Sequence, residues 1–200
     1  MPITTRVATT ADIPACATVL AEAFRDDPLM SAIWPSPPQR DEALPKYFAA
    51  SLRHFHIPGG GVQVATDADD AVGAVAVWDP PGRWDLGILR TLRAVPDLFP
   101  ALRTRAPAAI TIRRTLDKHH PANPEHWYLA NIGTTPTLQG SGYGTRLITD
   151  RLAGLQTAAF LVCTREENIT YYEKFGFRVA ETFSLPAGDE PAMWAMARNM

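Results

Sequence analysis

Along the chain, apolar residues alternate between helical spacing and short continuous runs. Ile13, Ala17, Leu20 and Phe24 recur at three- and four-residue intervals, the mark of one buried helix face. The helix starts near Thr9–Asp12 with Pro14 in its first turn, which leaves the capping residue open. It ends near Asp26-Asp27-Pro28, because a residue before proline avoids the α region. Arg6–Ala8, after Ile3, reads as a short strand. Pro35, Pro37 and Pro38 predict a loop, Ala43–Phe55 a second helix, and Pro58-Gly59-Gly60-Gly61 a break. Val62–Thr66 and Val72–Trp78 then read as two strands of a hairpin, joined by the acidic turn Asp67–Asp70.

Residues 80–124 are rich in Pro and Arg, with helical patches at Leu86–Val95 and Ala108–Lys118. Trp127–Thr134 is apolar enough for a buried strand. After it come a Pro- and Gly-containing turn and a helix with Gly144, Ile148, Leu152 and Leu155 on one face. Ala159–Thr164 is a strand, Asn168–Phe175 a short helix, and Phe177–Phe183 and Met193–Ala197 close the pattern as strands. Strands at both ends with helices between them predict a mixed α/β (α+β) sandwich and exclude a purely parallel sheet. At 200 residues and 46% hydrophobic content, one domain spanning 1–200 is expected.

Charge and cysteine content narrow the partners. A net charge of −2, from 19 basic and 21 acidic residues, gives no long-range pull on nucleic acid or an anionic membrane. Arg90, Arg93, Arg103, Arg105, Arg113 and Arg114 come without aromatic interleaving, so they read as a solvated helical face and not a polyanion surface. Cys16 and Cys163 form no C-x-x-C pair, which argues against a disulfide framework or a zinc site; two buried thiols in a reducing compartment are expected, and no metal. No apolar run reaches the roughly 20 residues of a membrane span, and Met1–Thr10 lacks a signal-peptide core. A cytoplasmic monomer or homodimer is expected.

The segment that carries chemistry is Leu129-Ala130-Asn131-Ile132-Gly133, followed by Gln139-Gly140-Ser141-Gly142-Tyr143-Gly144 and an amphipathic helix. Glycines at a strand-to-helix turn let the backbone approach a ligand. The unpaired first N–H groups of the helix, with its dipole, form an anion site. A P-loop would need a lysine that is absent here. A dinucleotide fingerprint would need other spacing and an earlier place in the chain. The turn matches a third pattern, Q/R-x-x-G-x-G/A, which a purely structural glycine turn also produces.

A second element lies one strand downstream: Asn168-Ile169-Thr170-Tyr171-Tyr172-Glu173-Lys174-Phe175-Gly176-Phe177. Together the two segments resemble the GNAT N-acetyltransferase superfamily, in which an acyl-CoA turn is followed by a strand and an N-x-x-x-[FY]-Y-E-[KR]-x-G-F helix. Within it the chain is most similar to the puromycin N-acetyltransferase group. That similarity runs from Arg6-Val7-Ala8-Thr9 with Asp12-Ile13-Pro14, through Ala23-Phe24 and Ala74-Val75-Ala76-Val77-Trp78, to Trp127–Phe177.

The resemblance implies a mostly antiparallel central sheet splayed between its fourth and fifth strands, with acetyl-CoA as co-substrate. The reaction it implies is direct attack of a neutral amine on the thioester. It places the carbonyl-binding N–H at Ile132, and donor-binding positions at Ile132, Gly133, Thr134, Gln139, Gly140, Ser141, Gly142, Tyr143, Gly144, Thr145, Asn168 and Tyr172. Tyr172 matches the general acid that protonates the departing thiolate; the other reading is a core tyrosine of a short helix. Tyr171 reads as packing. Ser141 stands where Lys or Arg is common.

A free alkylamine has a pKa of about 10, so the reaction needs a base. Some members place a Glu four residues before the carbonyl-binding N–H; here that residue is Tyr128. The puromycin group has Leu-Glu-Thr-Ser on the next strand, whereas this chain has Leu161-Val162-Cys163-Thr164. Asp26, Asp27 and His126 remain as candidate bases. His126 shares strand parity with Tyr128 and Ile132 and so can face the cleft; the alternative is a solvent-exposed strand end. Trp34, Trp78, Trp84 and Phe55 either line an acceptor pocket or anchor core and loops. The expected acceptor is a small primary amine roofed by residues 80–124. A protein amine or a non-catalytic acyl-CoA-binding role is the alternative.

Overall fold

The computed structural model describes residues 3–84, 87–123, 125–186 and 192–199. Seven strands form one sheet: β1 (Thr4–Val7), β2 (Val62–Thr66), β3 (Val72–Asp79), β4 (His126–Thr134), β5 (Ala158–Cys163), β6 (Arg178–Ser184) and β7 (Ala192–Arg198). The spatial order is β1-β2-β3-β4-β5-β7-β6, antiparallel throughout except for the parallel pair β4–β5.

That parallel pair is short. Only His126–Leu129 pairs with Ala158–Leu161, and Ala130–Thr134 runs on without β5 beside it. The cause lies on the other side of β4. Opposite β3, Val77 faces Asn131 but Trp78 faces Leu129, so Ala130 is an extra residue. A bulge of this kind bends the strand and increases its twist. The expected splay between the fourth and fifth strands is present.

Alternation along β2 and β3 feeds two cores. Val62, Val64, Val75 and Val77 pack with Leu20 of α1 (Ile13–Ala23) and with Leu44 and Phe48 of α3 (Pro37–Ser51). On the opposite face, Ala65, Ala74, Ala76 and Trp78 pack with Leu147, Ile148 and Leu152 of α6 (Tyr143–Ala153). Each fully buried aliphatic or aromatic side chain contributes about 1.5–3 kcal/mol.

Three helical expectations need correction. A further helix, α2 (Pro28–Ile33), follows the predicted end of α1: Pro28 opens it, and Asp27 caps it by accepting from the Leu29 and Met30 N–H groups. Pro37 and Pro38 do not form a loop but begin α3, where a missing N–H costs nothing. The helix α4 (Ile88–Leu102) runs past Val95 through Pro96 and Pro100 and stops where Arg103 takes φ +43°. The predicted start of that patch at Leu86 lies outside the described residues. The remaining helices are α5 (Ala106–Lys118) and α7 (Ile169–Glu173). Between α3 and β2 the chain forms a single wide turn of π-helix, Leu52–His56. No helix of the described residues is long and apolar enough to cross a membrane.

Candidate active site

The turn before α6 is built as an open cradle. Gly140 (φ +79°) and Gly142 (φ +91°) both take the left-handed conformation, and nothing lies within 4 Å of where a Cβ would stand on either. Arg146 N–H donates to Gly142 O at 2.9 Å, which makes Gly142 the cap. The N–H groups of Tyr143, Gly144 and Thr145 therefore precede the first helical bond and are left for a ligand, at the positive end of the helix dipole. Gln139 Nε2 donates to Thr134 O at 3.4 Å and ties the turn back to β4. A pyrophosphate fits this donor set without a lysine.

From this cradle a cavity of about 1500 Å³ passes through the β4–β5 opening into a chamber beneath α4 and α5. Ile132, Gly133, Thr134, Gln139, Gly140, Gly142, Tyr143, Gly144, Thr145, Asn168 and Tyr172 all line it, whereas Ser141 does not. Two of these also have structural duties. A Cβ on Gly133 would stand 2.8 Å from Ala23 Cβ, so the missing side chain lets α1 close on β4. The Tyr143 ring packs over Gly73, where a Cβ would meet it at 2.7 Å.

Tyr171 does more than pack. Its hydroxyl lies 3.4 Å from Thr145 Oγ1, and 3.2 Å from where a Cβ on Gly144 would stand, at the mouth of the cradle. Burial, then the neighbouring Cys163, Tyr171 and Asp27, push the Tyr172 phenol well above its ordinary range. It is therefore protonated at neutral pH and able to donate.

The sequence model of the acetyltransferase (GNAT) family matches residues 22–177, more than half of the chain. The chain belongs to the GNAT acetyltransferase family. It is an acyl-CoA-dependent N-acetyltransferase, and the family's acetyl donor is acetyl-CoA. Solved structures agree in fold. A Corynebacterium glutamicum protein named histone acetyltransferase HPA2 and related acetyltransferase is 26% identical, over 99% of this chain and 96% of its own, with a TM-score of 0.74. Arylalkylamine N-acetyltransferase 2 from Aedes aegypti is 12% identical over 99% of each chain (TM-score 0.63). The Drosophila melanogaster polyamine N-acetyltransferase is 15% identical over 100% of each (TM-score 0.58).

Within this GNAT scaffold the three candidate bases separate. Asp26 is exposed. His126 is neither exposed nor in the cavity: it is fully buried, its Nδ1 donates to Asn123 O at 2.6 Å, and its Nε2 accepts from His120 Nε2 at 2.8 Å. Asp27 is buried on the cavity wall and accepts the Thr164 hydroxyl at 2.5 Å. Burial raises its pKa, against the hydrogen bonds from Thr164 and the α2 cap. Cys163 is a buried thiol on the same wall, pushed up by burial, and donates to Arg165 O.

Of the candidate pocket aromatics, only Phe55 lines the cavity. Trp34 donates to Ala101 O within the core, Trp78 lies in the α6-side core, and Trp84 stacks on His120 at 3.7 Å. Sequence reasoning missed a polar pair in the chamber, His56 Nδ1 and Asp79 Oδ1 at 2.7 Å, both buried. The one available signal was a carboxylate closing the otherwise apolar run Ala74–Trp78.

Proposed function

We propose that the protein transfers the acetyl group of acetyl-CoA to the primary amine of a small molecule, within a single domain. The observation that carries this reading is the continuous path from the glycine cradle, past Tyr172, into a roofed chamber. Ile88, Val95 and Phe99 of α4 and Ile110 of α5 are exposed apolar residues on that chamber's wall, suited to the body of a small organic acceptor.

In this reading Asp27 takes the ammonium proton, directly or through water. The free amine attacks the thioester carbonyl, whose developing charge meets the Ile132 N–H. As the C–S bond breaks, Tyr172 gives its proton to the thiolate and regains one from the new amide nitrogen.

The likeness at 26% identity to a protein named a histone acetyltransferase keeps a peptide acceptor as the second reading. Puromycin belongs among the test acceptors on sequence similarity, although Val162 replaces the carboxylate of that group.

The test is thiol release from acetyl-CoA across small amines, peptides and puromycin. Turnover confined to peptides would select the second reading. Tight CoA binding without turnover on any acceptor would leave a binding module. Tyr172→Phe is expected to lower kcat on the order of 10²-fold with folding intact, and full kcat in that variant removes the acid role.

A further inference from the structure

The far end of the chamber has its own polar floor. His56 sits at the end of the π-turn and is 7% exposed; Asp79, at the end of β3, is 5% exposed. Nδ1 donates to Asp79 Oδ1, so the carboxylate fixes the ring. Nε2 has no hydrogen-bond partner among the described residues, yet it is not among the sealed, unpartnered nitrogens, and His56 lines the chamber. In the Nδ1–H tautomer that this bond selects, Nε2 is an acceptor, beside the remaining acceptor capacity of Asp79. With Arg113 paired to Asp117, Asp79 is the carboxylate this end of the cavity offers to a cationic guest.

Position along the sheet supplies a second constraint. Ala76 pairs with Ile132 and Asp79 with Tyr128. Three residues of β3 therefore separate the level of the carbonyl-binding N–H from that of the dyad, about 10 Å at 3.3 Å per residue. Tyr47 of α3, Tyr128 of β4, and Arg113 and Asp117 of α5 share this end of the chamber. Arg113 is held by Asp117 at 2.7 Å, so the pair is internally neutralised. Burial pushes the Tyr128 hydroxyl up to about 12, so it also stays uncharged.

Resting on the acetyl-transfer reading above, we infer that His56 and Asp79 bind the distal nitrogen of a two-headed cationic acceptor, an α,ω-diamine or a guanidinoalkylamine, whose near amine is acetylated. Two acceptors at the floor, the Asp79 carboxylate among them, and a fixed span to the reacting carbonyl define a subsite that reads both charge and length. A monoamine of equal length fills the same space but leaves the floor unsatisfied, which binding penalises.

The test compares a graded series of diamines with monoamines of matched length, in the wild type and in His56→Phe and Asp79→Asn. The wild type is expected to prefer an intermediate diamine over its monoamine by tenfold or more in kcat/KM, mostly through KM. In both variants that ratio should collapse toward one while monoamine turnover persists. Because the ratio is taken within one protein, partial loss of folding does not distort it. A wild-type ratio near one, or a ratio unchanged by both variants, overturns the inference. Calorimetric binding of the preferred diamine to the CoA-loaded protein reads the subsite even where no acetyl group moves. Binding that His56→Phe abolishes, without turnover of any amine, would sink the acetyl-transfer reading and keep the subsite; no binding would sink the subsite.

Discussion

Gly133→Ala tests whether the close approach of α1 positions β4, the strand proposed to hold the thioester carbonyl. A Cβ there would stand 2.8 Å from Ala23 Cβ, 3.2 Å from Leu20 Cδ2 and 3.7 Å from Phe24 Cε2. Carbon atoms settle about 3.5–4.0 Å apart, so the shortfall against Ala23 is about 1 Å. The Leu20 methyl can swing aside, but Ala23 Cβ is fixed to its helix backbone, so α1 and β4 must separate. Overpacking of this size costs about 1–3 kcal/mol, and loss of glycine's unfolded-state freedom returns about 0.4–1 kcal/mol. The expected net loss is about 1–2 kcal/mol, read as a lower urea midpoint at unchanged m.

The neighbouring Ile132 N–H moves with the strand. A displacement near 1 Å costs on the order of 10²-fold in kcat. Ala23→Gly removes the opposing methyl. The double variant should therefore recover about 1 kcal/mol relative to the sum of the single changes, together with part of the lost kcat. An unchanged midpoint and kcat in Gly133→Ala, or strict additivity in the double variant, would refute the reasoning.

Two further outcomes are expected. Gly142→Ala forces a side chain into φ +91° with empty space around it, so its cost of about 1–2 kcal/mol is backbone strain alone; the KM for acetyl-CoA should rise while the KM for the amine stays put, as steady-state kinetics will show. His120 is pushed down to about 3, first by burial and then by His126 and Arg113. The unfolded chain therefore binds a proton near pH 6.5 that the folded chain refuses until far lower pH, and stability falls as pH drops through that window. His120→Phe should be less stable at pH 7.5, because His126 Nε2 loses its donor, but should lose less between pH 6.5 and pH 4.5 in parallel denaturation curves.

Much of this was legible in the chain itself. The β2–β3 hairpin and the strands β4 to β7 announce themselves as apolar runs between Gly, Pro and Asp. The cradle and α7 come from two motifs whose residues fold within one stretch of chain. What escaped depends on tertiary structure. With six residues, α2 is too short to show a period, and α4 outlasts two prolines while Ala94 and Ala101 are buried on its inner face. His56 and Asp79 are 23 residues apart and meet only because the π-turn carries one beside the end of β3. His126 does share the face of the cavity-lining Tyr128, but His120 and Phe160 cover its ring; its parity with Ile132 was lost at Ala130. The bulge shifts the alternation by one, so Tyr128 belongs with the α1-side core and Ile132 with the α6-side core.

The bulge has a wider consequence. It leaves Ala130–Thr134 as a raw sheet edge in the middle of the protein, the kind of edge that elsewhere recruits a foreign strand and seeds aggregation. Here the edge is five residues long, with α1 pressed against Gly133 on one side and Tyr171 and Tyr172 standing on the cavity wall. A thin unbranched chain bearing amides can lie along that edge and pair with its free N–H and C=O groups. A single additional residue in one strand thus exchanges a partner strand for a ligand's amides.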